Sequence, residues 1–195
     1  MGLDMYLHRR RYVQNWDFLP ENQRWTYAIT RGDGRVLTPG KLTYVLDEIA
    51  YWRKANQVHH WFVDIVQKGT DDCGEYYVSQ DQLADLISRC RRIFAADEKI
   101  GKLVAKALDA SVGPEERTAF WEKITHLAAD SEPVKKLAHD LLPTQPGFFF
   151  GGTDYDEWYF YGLRETLIQL APFVAVESGY ELDDTFDGYY YHSSW

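Results

Sequence analysis

The spacing of apolar positions divides the chain into short alternating runs and longer helical stripes. Leu3 to Leu7 alternates and predicts a strand. Trp25 to Ile29 and Arg35 to Leu37 flank Gly32-Asp33-Gly34, which predicts a hairpin. Leu42 to Trp52 alternates loosely, and its first half predicts a strand or an extended approach. From Trp52 to Gln67 the period changes. Ala55, Val58, Phe62, Ile65 and Val66 fall on one helical stripe, with Arg53, Asn56 and His59 along its edge and Gln57 and His60 opposite it. Gly69 ends this helix.

A short strand, Glu75 to Val78, precedes Ser79, whose capping-box partner is Gln82. The helix so opened buries Leu83, Leu86, Ile87, Cys90, Ile93 and Phe94. Residues 97–142 read as a helical insertion, with Phe120, Trp121, Ile124 and Leu127 on one stripe and Ser131-Glu132-Pro133 opening a further helix. Phe148 to Phe150 reads as a buried strand. Thr153 then caps a last long helix, with Asp156 at the capping-box position and Pro172 kinking or ending it. Tyr189 to Tyr191 predicts a final strand before Trp195. Strands and helices do not alternate regularly, so the expectation is an α+β fold in one domain: a small antiparallel or mixed sheet packed against several helices.

Composition narrows the class. The 195 residues are 45% hydrophobic and 26% charged, as in an ordinary globular chain, and no apolar run approaches the length of a membrane span. The early Asp4 argues against a signal peptide, and two cysteines, Cys73 and Cys90, make neither a disulfide framework nor a metal site. The expected compartment is the cytosol. The net charge of -9 is uneven. Residues 1–60 hold nine Lys and Arg against six Asp and Glu, whereas residues 151–195 hold Arg164 alone against nine acids. That distribution speaks against a nucleic-acid partner and leaves an acidic end, with Asp183, Asp184 and Asp187, able to meet a basic host protein.

Aromatic residues make up 16% of the chain, and two segments mix them with polar groups. In Tyr51 to Phe62 and Gly147 to Glu157, rings supply rigid walls and side chains supply directional hydrogen bonds, a mixture suited to a binding surface. The expected ring contacts are Tyr51, Trp52, Trp61, Tyr155 and Trp158. The expected polar contacts are Arg53, Asn56, His59, Thr153 and Asp154, with the Arg fork matched to a phosphate or carboxylate. The plainer alternative is a solvated helix face. Asp154, Asp156 and Glu157 suit either a hard cation or the first turn of a helix, and lack calcium-loop spacing. No zinc, phosphate-loop, dinucleotide or Ser-hydrolase motif occurs, and no cofactor is expected. Cys73 with His59 is a conceivable nucleophile and base, and a turn cysteine is the simpler reading.

Four signatures carry a resemblance: Tyr-Trp-Arg-Lys-Ala-Asn-x-x-His-x-Trp-Phe-Val from Tyr51, Asp-Asp-Cys-Gly-x-Tyr-Tyr-Val from Asp71, Leu-Leu-Pro-Thr-Gln-x-Gly-Phe-Phe-Phe-Gly-Gly-Thr-Asp-Tyr-Asp-Glu from Leu141, and the final Ser-Ser-Trp. Together with Met-Gly-Leu-Asp-Met-Tyr-Leu they resemble an uncharacterised family common in bacteriophage and prophage genomes. The likeness does not extend over residues 97–140. Some relatives carry the label phosphoglycerate kinase, a two-domain enzyme for which this chain is too short. The resemblance implies a phage protein in a host cytosol and no activity. Three functions stay open: a binder of a small polar or nucleotide-like ligand that sequesters a host defence signal (counter-defence), an acidic protein–protein inhibitor of a basic host protein, and a nucleotide-directed hydrolase or transferase with His59 as acid or base. The joint site requires that a Phe of 148–150 pack beneath the first helix, that Gly152 lie near its N-terminal turn, and that Tyr189 to Tyr191 bring Trp195 to the same cluster.

Overall fold

A computed structural model describes residues 2–37, 40–174 and 188–195. The acidic Asp183, Asp184 and Asp187 lie outside the described residues. The architecture is α+β. Strands β1 (Asp4–Tyr12), β4 (Tyr44–Arg53), β5 (Tyr76–Val78) and β6 (Gly188–Ser194) form an antiparallel sheet in the order β4-β1-β6-β5. Strands β2 (Ile29–Thr30) and β3 (Val36–Leu37) make the expected separate hairpin. The helices are α1 (Asn56–Trp61), α2 (Gln80–Ala95), α3 (Glu98–Ala107), α4 (Pro114–Asp130), α5 (Glu132–Leu141) and α6 (Glu157–Val174).

One face of the sheet is apolar because strand side chains alternate. Met5, Leu7, Ala50, Trp52, Val78 and Tyr191 are buried on it, and join a core with Phe62, Leu86, Phe94 and Phe160. The segment 97–142 is helical as expected, and it contributes Ile100, Trp121, Ile124 and Val134 to that same core. The other face carries Tyr6, His8, Tyr190 and His192. The Tyr6 and His192 rings stack at 4.8 Å, and the Arg10 guanidinium lies 4.2 Å over the Tyr190 ring. Between Leu7 and His8 the partner register slips from Ala50 to Glu48, a bulge that leaves Ile49 as the extra residue in β4.

Several sequence expectations are corrected. The chain does not turn helical at Trp52, because Tyr51, Trp52 and Arg53 pair with Tyr6, Met5 and Asp4. The ladder therefore uses the whole of β4 and not only its first half. Lys54, at φ 57°, makes the turn, and the helix starts at Asn56. From Phe62 to Val66 this helix widens into a π turn, with Gln67 N–H bonded to the Phe62 carbonyl at 2.9 Å. The wider turn shifts the phase of the stripe, so Val63 is buried and Ile65 is 41% exposed. Gln57, expected opposite the core, is buried as well. Phe148 to Phe150 is a turn and not a strand: Phe148 is 95% exposed, whereas Phe150 is buried. Helix α6 is capped by Asp156, whose Oδ1 accepts the Tyr159 N–H at 3.1 Å, and not by Thr153. Pro172 sits in the last turn of α6, which runs on to Val174.

Candidate functional site

The end of β4, the start of α1 and the loop into α6 enclose a cavity of about 490 Å³. Its construction begins at Lys54. The left-handed backbone there lets the Lys54 N–H donate to the Leu3 carbonyl at 2.8 Å, and turns Arg53 and Lys54 to the cavity mouth. Gly151 lies against this turn. It has φ 93°, and a Cβ on it would stand 3.3 Å from the Lys54 Cβ, so both conformation and space favour glycine.

Asn56 holds the loop in place. Its Nδ2 donates to the carbonyls of Gly152 at 2.7 Å and Phe150 at 3.2 Å, and its Oδ1 accepts the Gln145 N–H at 3.2 Å. Gln57 holds the helix: its Nε2 donates to the Tyr159 carbonyl at 2.8 Å. Close approach of α6 is possible because residue 162 is glycine. A Cβ there would meet the Gln57 Nε2 at 2.6 Å. The rings of Trp158 and Tyr161, one helical turn apart on α6, form an exposed wall, their centroids 6.1 Å apart and edge to face.

The charges at the cavity are not equally engaged. Arg53 Nη1 donates to the Asp4 Oδ1 at 3.4 Å, a long bond, and the guanidinium also meets the Tyr51 hydroxyl while remaining more than half exposed. Asp156 is committed to the α6 cap. The side chains of Lys54 and Asp154, both lining the cavity, meet no hydrogen-bond or ion-pair partner among the described residues. Glu157 turns away, its Oε1 2.9 Å from His126 Nδ1. The three carboxylates Asp154, Asp156 and Glu157 therefore have three different engagements and do not converge. No group of His, Cys, Asp and Glu suited to a metal occurs among the described residues.

Of the residues expected to touch a ligand, Arg53, Asn56, Asp154 and Trp158 line the cavity. The others do not. Trp52 is buried under the sheet, its Nε1 donating to Thr166 Oγ1 at 3.0 Å. Trp61 is buried with its Nε1 on Asp85 at 3.1 Å. The Tyr51 hydroxyl donates to Asp4. Thr153 accepts the Thr144 hydroxyl with its carbonyl at 3.2 Å, and the Tyr155 ring packs on Tyr159 at 4.8 Å. Lys54 and Tyr161 are cavity residues the sequence reading passed over. Tyr161 had a signal, three positions after Trp158 on a helix. The left-handed Lys54 had none.

His59 belongs to a separate, buried network. It is wholly buried, with Nε2 3.1 Å from Asp71 Oδ2 and Nδ1 2.7 Å from the Tyr191 hydroxyl. A carboxylate only accepts, so Nε2 carries the proton and Nδ1 accepts from Tyr191. Burial holds the imidazole below its ordinary range, against the opposing pull of Asp71. The same Asp71 accepts the Trp195 Nε1–H at 3.2 Å, and Phe150 packs edge-on to His59 with centroids 5.0 Å apart. Both ring nitrogens are thus occupied. The partners of His59 are Tyr191 and Asp71 rather than Cys73, and His59 does not line the cavity. Phe150 lies beside α1, Gly152 is tied to Asn56, and Trp195 sits 6.0 Å from Phe150, as expected. Phe150 and Trp195 nevertheless belong with the His59 network and do not line the cavity, so these segments do not make one shared concavity.

Among the described residues, no helix is long and apolar enough to cross a membrane. Comparison of the chain with protein-family models, with curated proteins and with solved structures finds no match.

Proposed function

We propose that this chain binds a small, planar, polar ligand of nucleotide type in the cavity between Arg53–Gln57 and Gly151–Gly162. The observation that carries the reading is the meeting of open charges, Lys54 and Asp154, with an exposed ring wall, Trp158 and Tyr161, around about 490 Å³. That volume lies in the range of small-molecule sites. The Trp158 indole is 79% exposed beside these charges, so one of its faces is open to a flat ligand. The isolation of His59 from the cavity favours capture over turnover. In a phage of the kind the sequence resembles, capture would sequester a host signalling nucleotide and blunt a defence response.

The test is thermal denaturation with a panel of nucleotides and with host nucleotide extract. A ligand at a hundredfold excess over its dissociation constant stabilises the fold by about 2.7 kcal/mol. Trp158→Ala, a change at an exposed position, should leave the unliganded stability unaltered and weaken binding by about 1–3 kcal/mol through lost stacking. The absence of any shift with all of these ligands would remove the reading. Ligand recovered chemically changed would replace capture with catalysis.

A further inference from the structure

We infer that the base read by this cavity is guanine and that the phosphate of the nucleotide lies on Lys54 and Arg53; the inference rests on the nucleotide reading above. It follows from which polar groups remain open. The two amides at the cavity, Asn56 and Gln57, are the side chains that could have read an edge of mixed donors and acceptors. Asn56 is committed at both ends, Nδ2 to Phe150 and Gly152 and Oδ1 to Gln145, and Gln57 is buried with its Nε2 on Tyr159. Asp156 is committed to the helix cap. The charged groups left are of two pure kinds. Lys54 and most of Arg53 only donate, and Asp154 only accepts.

A carboxylate with two open oxygens selects an edge that presents two adjacent donors. Guanine does so with N1–H and the N2 amino group. Adenine and cytosine place a ring-nitrogen acceptor beside the amino group, and uracil flanks N3–H with two carbonyls. Each of these would set an acceptor against Asp154 at a cost in binding. The negative charge of Asp154 also repels a phosphate, which leaves the anionic end to the cations at Lys54 and Arg53. Lys54 and Arg53 come from the β4 turn and Asp154 from the loop before α6, and Trp158 with Tyr161 supplies the stacking surface of the same cavity. The arrangement therefore asks for one molecule that is anionic at one end and a double donor at the other, with a flat ring between.

The experiment is isothermal titration of the full chain with GMP, IMP, AMP, UMP and guanosine. GMP should bind about tenfold or more tightly than AMP and UMP, with IMP, which keeps N1–H and lacks the N2 amino group, between them. Guanosine should lose about tenfold relative to GMP and should lose the salt dependence as well. Asp154→Asn should weaken GMP and tighten AMP, by removing the acceptor clash and the repulsion of its phosphate, so that the preference for GMP is lost. Lys54→Met should bring GMP toward guanosine and leave guanosine unchanged. Both positions are exposed, and equal unliganded melting temperatures would show that the variants fold. Equal affinity for GMP and AMP, with both weakened by Trp158→Ala, would overturn the guanine assignment and keep the nucleotide site. No binding of any of the five would overturn both.

Discussion

His59 has hydrogen-bond partners on both ring nitrogens and no contact with water, so protonating it requires a buried charge and the loss of the Tyr191 hydroxyl as donor. Its pKa in the fold is lowered from 6.5, chiefly by burial. The sign follows from linkage. Below the unfolded value the unfolded chain takes up the proton and the native chain does not, so stability is present above that pH and is lost as pH falls through it. His192, lowered by burial and by His8, acts in the same direction. His126, raised by Glu157 on the surface, acts in the opposite one. Urea denaturation should therefore show lower stability at about pH 5.5 than at about pH 7.5. His59→Gln should be less stable at the higher pH and should lose less on acidification. A variant that keeps the full pH dependence would assign it to other groups.

At the scale of elements, the outer edge of β4 has an unusual neighbour. The Tyr51 N–H donates to the Gln169 Oε1 at 2.8 Å, and the Gln169 Nε2 donates to the Tyr51 carbonyl at 3.1 Å. One side-chain amide from α6 thus answers a backbone amide as a further strand would, and covers an edge that could otherwise recruit another chain. Gln169→Ala should cost about 1 kcal/mol in urea denaturation and raise concentration-dependent light scattering. Unchanged scattering at every concentration would mean that the rest of the edge already prevents pairing. None of this edge is visible in the sequence, whereas α2 is. Its cap, Ser79 with Gln82, and its stripe from Leu83 to Phe94 are local patterns, and each falls where expected. The β2–β3 hairpin turns about Gly32-Asp33-Gly34 as expected, but its first strand is Ile29–Thr30 and not Trp25 to Ile29. The stretch Tyr51 to Gln67 misleads because its first three residues obey partners in β1, nearly fifty positions earlier, and its end obeys a π turn that no propensity signals. At the cavity, Arg53, Asp154 and Trp158 were legible as polar and aromatic residues in suggestive company. Trp52, Trp61 and His59 look the same in one dimension, and only tertiary burial separates them.

At the scale of the whole molecule, the sheet is closed by its most distant strand. β6 lies between β1 and β5, and Asp4 pairs with Ser194. Without β6, β5 loses its strand partner, β1 keeps β4 alone, His59 loses Tyr191, and Asp71 loses Trp195. A chain ended at residue 187 should keep much of its helical far-ultraviolet signal and lose cooperative unfolding and near-ultraviolet aromatic dichroism. A cooperative transition in that shortened chain would show that the helices and β1–β4 suffice as a folding unit. The strand order also sets a schedule for synthesis. At about 5–20 residues per second, β1 is synthesised roughly ten to forty seconds before β6. Throughout that interval the flank that β6 will cover is an unoccupied template for any other extended chain. Completion of the sheet therefore waits on β6, and until that strand is made the nascent β1 is exposed to pairing with other extended chains.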